Sequence, residues 1–182
     1  MNNQNDNSTK LCAFASALDP SYGEALQLKA HTWAQQHNLR HLRVTCGILR
    51  RGATFFCARR GAMLGMAGKW EFPGGKIEPQ ETPEACVVRE IKEELQVTAQ
   101  VERFLGIAVY AYPDFVLELY VFVLTPLLVS EPVLIEHSAG AWRTALELSK
   151  LPWDECDSLF VPLLKDYHPF YQLSKRGCPL AN

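Results

Sequence analysis

Residues 74–97 read GGKIEPQETPEACVVREIKEELQV, and this stretch decides how the chain is read. Its spacing predicts a helix over Thr82 to Gln96. Thr82 is an N-cap, Pro83 suits the first helical position, and Glu81 and Glu84 suit the positive end of the helix dipole. Val88, Ile91 and Leu95 recur at i, i+3 and i+7, with Ala85 and Val87 beside them, so one face is apolar and packs on a sheet. Glu90, Glu93 and Glu94 recur at i, i+3 and i+4 and gather their carboxylates on a different face. A divalent cation relieves the repulsion among them most simply, and oxygen ligands suit Mg2+ or Mn2+. Arg89 reaches Glu93 one turn on, or Glu81 ahead of the helix. Taken alone, glutamates so spaced are more often a solvated charged face than a metal site.

The longer pattern reverses that weighting. Gly75, five residues, Glu81, seven residues, Arg89-Glu90, an aliphatic residue, any residue, Glu93-Glu94, any residue, then ordinarily Gly and an aliphatic: the arrangement resembles the Nudix box. The resemblance implies a Nudix hydrolase, an α/β/α sandwich with a mixed sheet that cleaves nucleoside diphosphates linked to another group. It covers roughly residues 41 to 166. It implies Mg2+ or Mn2+ held by Glu90, Glu93, Glu94, the carbonyl of Gly74 and a further glutamate. Gln96 departs from the pattern, standing where the box ordinarily has glycine. A left-handed cap kept at Gln96 costs about 1 kcal/mol. The run KWEFPGGKIEPQETPEACVVREIKEEL resembles most the MutT and CTP-pyrophosphohydrolase branch, which takes free nucleoside triphosphates.

The 182 residues suffice for one domain with a sizeable core and some extra chain. A net charge of −2 indicates no broad attraction to nucleic acid or membrane. The most apolar run, Phe115 to Val129, contains Glu118 and Pro126 and reads as a buried strand and its exit. The Asn-rich start has no basic region followed by an apolar core, so no signal peptide is expected. Cysteines at 12, 46, 57, 86, 156 and 178 form no CxxC and read as reduced thiols of a cytoplasmic protein. The expected partner is a nucleoside triphosphate, with no nucleic acid and no membrane, in a monomer or homodimer.

Met1 to Lys10 is polar and expected to be disordered. Asp19 and Pro20 start a helix that runs to about Asn38 with Leu26, Ala30 and Trp33 on one face. This added helix divides the chain into 1–40 and a Nudix domain at 41–182. It could cover a sheet edge, serve a dimer interface, shield the pocket or simply pack. His31 and His37 on it carry no assigned chemistry. His41 to Leu49 and Thr54 to Arg59 form a hairpin around a turn at 50–53. Gly61 to Gly68 reads as a flexible loop whose Met63, Leu64 and Met66 can line a pocket mouth. Lys69 to Phe72 is a short strand, Val97 to Tyr112 one or two strands, and Phe115 to Leu124 a central strand. Ala145 to Leu151 is a helical turn, Ser158 to Tyr167 a helix that Pro162 can bend, and the tail after His168 is loosely packed. No internal repeat is visible.

The resemblance also implies substrate contacts. Arg60 ends its strand near the phosphates, or is a solvated strand end, and Lys76 can neutralise phosphate charge. Tyr112 can stack on the base, or can leave its hydroxyl in water. Phe115 stands where the bacterial MutT pattern has arginine. Glu136, in EPVLIEHSAGAWR, is the further metal ligand or general base, or an exposed loop acid; His137 fixes the loop or lies on the phosphate side. Asp157 reads the base, or caps the last helix. Ionised, it is an acceptor and prefers a base edge that donates. The implied activity is metal-dependent release of pyrophosphate from a nucleoside triphosphate, with Arg89 and the glutamates as catalytic machinery. Oxidised purines such as 8-oxo-dGTP come first; CTP or modified pyrimidines, or non-catalytic nucleotide binding, are the alternatives.

Overall fold

The structure, a computed structural model, describes residues 11–16, 20–61 and 68–167. In chain order the elements are β1 (Cys12–Ser16), α1 (Pro20–Gln36), β2 (Arg40–Arg51), β3 (Thr54–Arg60), β4 (Trp70–Glu71), α2 (Pro83–Leu95), β5 (Ala99–Ala111), β6 (Phe115–Pro126), β7 (His137–Thr144) and α3 (Ala145–Leu148). Two 3-10 turns, Asp157–Leu159 and Val161–Asp166, follow. The seven strands form one sheet in the order β1-β5-β6-β2-β3-β4, with β7 on β3. β2 and β6 are parallel and every other pair is antiparallel.

The apolar run of β6 is nearly continuous because both faces of the central sheet are covered. On one face, Leu26, Ala30 and Ala34 of α1 and Val87, Ile91 and Leu95 of α2 are buried with Val109, Val116 and Phe122. On the other, Trp153, Phe160, Val161 and Leu164 cover Cys46, Ile48, Val121 and Val123. Each large side chain so buried contributes about 1.5–3 kcal/mol. The result is the mixed-sheet α/β/α sandwich that the resemblance implied. α1 shares the face of α2, where Gln27 donates to the Tyr120 hydroxyl at 2.8 Å. Tyr120 in turn donates to the buried Glu118 at 2.6 Å.

One irregularity of the sheet positions the site. β2 and β3 pair only at their hairpin end, Arg50 with Phe55 and Arg51 with Thr54, and then part. Residues 70–77 fill the wedge between them. β4 pairs with Ala58 and Arg59 of β3. The next residues bond to β2: Gly47 N–H to the Pro73 carbonyl at 2.8 Å, Thr45 N–H to Gly75 at 2.8 Å, and Ile77 N–H to Arg43 at 3.1 Å. The Gly74-Gly75 pair is thus stitched to the middle of the sheet.

Several expectations need correction. Cys12–Ser16, to which the sequence assigned no element, is a strand on β5; its five residues are too few to announce an alternation. α1 stops at Gln36, and Asn38 turns the chain in a left-handed conformation with φ 53°. The buried stripe of α2 is Cys86, Val87, Ile91 and Leu95; Val88 is half-buried and Ala85 exposed. Val97 to Tyr112, read as one or two strands, is borne out as one, β5, whose register slips at Val101/Arg103 and Phe104/Gly106. The last helix is replaced by the two 3-10 turns, with Pro162 near the start of the second. Proline lacks the N–H that an α-helix would need there. Residues 1–10, Asp19, the loop residues Met63, Leu64 and Met66, and the tail from His168 lie outside the described residues. Among the described residues no helix is long and apolar enough to cross a membrane. The five described cysteines are free thiols, and burial pushes Cys57 up to about 12 and Cys86 up to about 11.

Candidate active site

The carboxylate-bearing helix is held at both ends. Thr82 accepts the Ala85 N–H at 3.2 Å as N-cap, with Pro83 next. Gln96 takes the left-handed cap with φ 56° and ψ 22°, and its N–H reaches the Lys92 carbonyl. The missing box glycine has therefore not changed the helix end. Two of the last carbonyls, Leu95 and Glu94, accept from Val133 N–H at 2.9 Å and Ile135 N–H at 3.1 Å. These are among the groups a helix leaves unpaired at its C-terminus. The bonds tie the loop that carries Glu136 directly to the end of α2.

Both glycines of the turn are required by close approach. A Cβ on Gly74 would lie 2.0 Å from the Thr45 carbonyl oxygen, and one on Gly75 would lie 2.2 Å from the Glu90 carboxylate. The Gly74 N–H donates to Glu94 at 3.1 Å. Pro73 and Gly75 spend their carbonyls on β2, whereas no backbone N–H among the described residues bonds to that of Gly74.

Arg89 resolves the choice left open by its spacing, because it takes both partners. Its Nε and Nη2 donate to the two oxygens of Glu81, each at 2.9 Å. Its Nη1 donates to Glu90 at 2.8 Å and to Glu93 at 3.1 Å. The Arg89 bond holds the Glu81 carboxyl down at about 2. Glu94 is the opposite case. Burial pushes its carboxyl up to about 7; His137 opposes this, and Glu90, Glu136 and Glu71 reinforce it. A buried carboxylate among like charges is an environment that a cation reverses. Among the described residues no three acidic, histidine or cysteine side chains are already closed around a common point. The donor set itself, carboxylates plus a carbonyl with no backbone partner, has the chemistry of a Mg2+ or Mn2+ site.

Beside this face lies a cavity of about 270 Å³, bordered by Gly74, Gly75 and Lys76. Leu42, Val44, Leu117 and Leu119 form its apolar side. Tyr112 and Phe115 line it with rings stacked at 4.7 Å. The Tyr112 hydroxyl is not in water; it donates to the buried Asp154. Asp157 is buried too, and its carboxylate accepts the Phe72 N–H at 2.9 Å instead of capping a helix. Burial, then Asp154, pushes the Asp157 carboxyl well above the usual range. The shift favours the protonated form, which can donate as well as accept, over the acceptor-only ionised form.

Arg60 lines the cavity, but its Nε, at 2.8 Å, and its Nη2 both donate to Glu71. The other Glu71 oxygen lies 3.3 Å from His137 Nε2. Burial alone would raise the Glu71 carboxyl, but the bonds from His137 and Arg60 lower it overall. Lys76 is exposed at the mouth and forms no ion pair among the described residues. Glu136 is exposed next to His137. Sequence reasoning missed Glu71 and Asp154. The only signal for Glu71 was an acid between Trp70 and Phe72, and Asp154 had none beyond its nearness to Asp157.

Comparison with known proteins gives a family model, the NUDIX domain, matching residues 39–164. The chain is 38% identical over 112 residues to an 8-oxo-dGTP diphosphatase of Escherichia coli K12, covering 61% of this chain and 86% of that protein. It is 37% identical over 68 residues to a CTP pyrophosphohydrolase of the same strain, covering 37% of this chain and 50% of that protein. The crystal structure of a MutT protein from Methanosarcina mazei Go1 shares the fold, with a TM-score of 0.64, 22% identity, and coverage of 70% of this chain and 95% of that one. With the glutamates of the box set on α2, the fold matched and the family model spanning most of the chain, the protein belongs to the Nudix family as a MutT-like hydrolase.

Proposed function

We propose that the protein is a metal-dependent nucleoside triphosphate pyrophosphohydrolase whose foremost substrates are oxidised purine triphosphates such as 8-oxo-dGTP. The observation that carries this reading is the double role of residues 74–76. They border the cavity, while Gly74 bonds to Glu94 and Gly75 lies against Glu90. A base in the cavity directs its phosphates across this segment toward the glutamates of α2. The resemblance to an 8-oxo-dGTP diphosphatase over 112 residues supports the oxidised purine. The acids Asp154 and Asp157, which line the cavity with the aromatic pair, also suit the exocyclic amine of cytosine, and resemblance to a CTP pyrophosphohydrolase supports that second reading.

Glu90, Glu93, Glu94, Glu136 and the Gly74 carbonyl would hold Mg2+. When bound, the ion supplies polarisation of phosphate oxygens and a more acidic water. Water adds to a phosphorus beside the α–β bridge, the bridging P–O bond breaks, and nucleoside monophosphate and pyrophosphate result. A glutamate of the set takes the water's proton. Arg89 holds Glu90 and Glu93 in place, and Arg60 and Lys76 offset phosphate charge. Tyr112 and Phe115 offer the base an aromatic wall, and Asp157 offers it a polar partner. Positioning and charge stabilisation supply most of the rate.

The test is pyrophosphate release, with and without Mg2+, from 8-oxo-dGTP, dGTP, CTP, 5-methyl-dCTP, ADP-ribose and a dinucleoside polyphosphate. Mg2+-dependent release, fastest from 8-oxo-dGTP, is expected. Faster release from CTP moves the reading to pyrimidines. Nucleotide binding without turnover of any triphosphate overturns the enzymatic reading in favour of a binding module.

A further inference from the structure

Glu71 sits where the two halves of the site meet. It lies on β4, which pairs with Ala58 and Arg59 of β3 on one side; on the other, Trp70 N–H bonds to the Pro152 carbonyl at 3.0 Å and Asp154 N–H to the Trp70 carbonyl at 2.8 Å. Its side chain is 12% exposed, and both carboxylate oxygens are engaged. One takes the Nε and Nη2 of Arg60. The other faces His137 Nε2 at 3.3 Å. A register slip between Arg59 and Arg60 in the β3–β7 pairing brings His137 opposite Arg60. The imidazole is 4% exposed, and its Nδ1 has no hydrogen-bond partner among the described residues. Among the described residues Glu71 is thus the ring's one ion-pair partner, and the next residue back in the chain is Glu136.

We propose that Glu71 is a positioning residue for the reaction: one carboxylate oxygen aims the Arg60 guanidinium into the nucleotide cavity, and the other pins His137 and with it the base of the Glu136 loop. The role rests on the triphosphate reading of the cavity. A guanidinium that donates two N–H groups to one carboxylate is fixed in plane as well as in charge. Released from Glu71, Arg60 keeps its charge and loses the two bonds that fix its Nε and Nη2. His137 would then have no partner on either nitrogen, and the start of β7 would lose its anchor to β4.

The test is a pair of double-mutant cycles read separately in KM and kcat. Glu71→Gln keeps the volume and removes the charge. It is expected to raise KM for the best triphosphate about tenfold and to lower kcat about tenfold. In an Arg60→Ala background the same change should move KM less than about twofold, and in a His137→Ala background it should move kcat less than about twofold. A merely structural Glu71 gives the same factor in every background, and that result overturns the proposal. Glu71→Asp, which keeps the charge but is too short to span both partners, should reproduce the loss; full activity in it also overturns the proposal. In the free wild-type protein, NMR should find the Arg60 Nε–H slow to exchange with solvent, and fast in Glu71→Gln. Fast exchange in the wild type refutes the pairing without reference to turnover. If Arg60→Ala alone leaves KM unchanged, the nucleotide reading of Arg60 fails, and this result is distinct from a multiplicative cycle.

Discussion

Two arginines organise this protein's carboxylates in different ways. Arg89 binds Glu81, Glu90 and Glu93, all within one helix and the turn before it. Arg60 binds Glu71, which faces His137, so its cluster draws on β3, β4 and β7. The first cluster forms whenever α2 forms. The second exists only after β3 has parted from β2 and taken β4 and β7 as neighbours. Local spacing therefore delivers the glutamates, whereas sheet topology delivers the side that aims the substrate at them.

The sharpest way to break this comparison is to strike the local cluster. Glu93→Gln or Glu94→Gln should lower turnover at least about 100-fold, since in the proposed mechanism each helps hold the metal. Glu93 is well exposed, so its variant should melt close to wild type. Wild-type turnover in both variants would sink the site assignment. Arg89→Lys is next. It keeps the charge but cannot serve three carboxylates with a planar fork, and kcat should fall about tenfold. Unchanged kinetics would mean that Glu90 and Glu93 are placed by the helix alone.

The cavity side is probed by pH. Burial raises the Asp157 carboxyl well above the usual range in the folded protein. The folded state then holds a proton that the unfolded chain gives up near pH 4, so stability falls as pH rises from there toward the folded-state value. Asp157→Asn removes this dependence and keeps an acceptor for the Phe72 N–H. Its melting temperature relative to wild type should rise as pH climbs above the ordinary carboxylate range, and a pH-independent difference would contradict the raised Asp157 carboxyl. The smallest effect concerns the cap. Gln96→Gly should stabilise the protein by about 1 kcal/mol, with unchanged turnover, because glycine pays no penalty in the left-handed region. A loss of stability would show that the Gln96 side chain contributes more than its backbone conformation costs.

How much of this was legible follows the same division. Thr82, Pro83 and the glutamate spacing announced α2 and its carboxylate face because a helix converts sequence separation into position. The same logic slipped by one residue for the buried stripe, Val87 in place of Val88, since two adjacent valines fit the period almost equally. Apolar runs bounded by turn residues announced β2, β3 and β6. β1 stayed hidden because five residues carry too little periodicity, and its register comes from β5. The final helix was overread: Pro162 breaks the i to i−4 bonding that its apolar spacing suggested. Tyr112, Asp157 and Arg60 do line one cavity, yet their partners Asp154 and Glu71 were invisible. Nothing in a linear sequence says that residue 112 meets 154, or that 71 stands between 60 and 137.

The central claim is that the glutamates of α2 and the cavity beside the Gly74-Gly75 turn act on one nucleoside triphosphate. Pyrophosphate release from 8-oxo-dGTP and CTP by wild type and Glu93→Gln, with Mg2+ and with EDTA, tests it most directly. The account predicts release by wild type only with Mg2+, faster from 8-oxo-dGTP, and loss of release from both in Glu93→Gln. Release that survives EDTA or the substitution would contradict it.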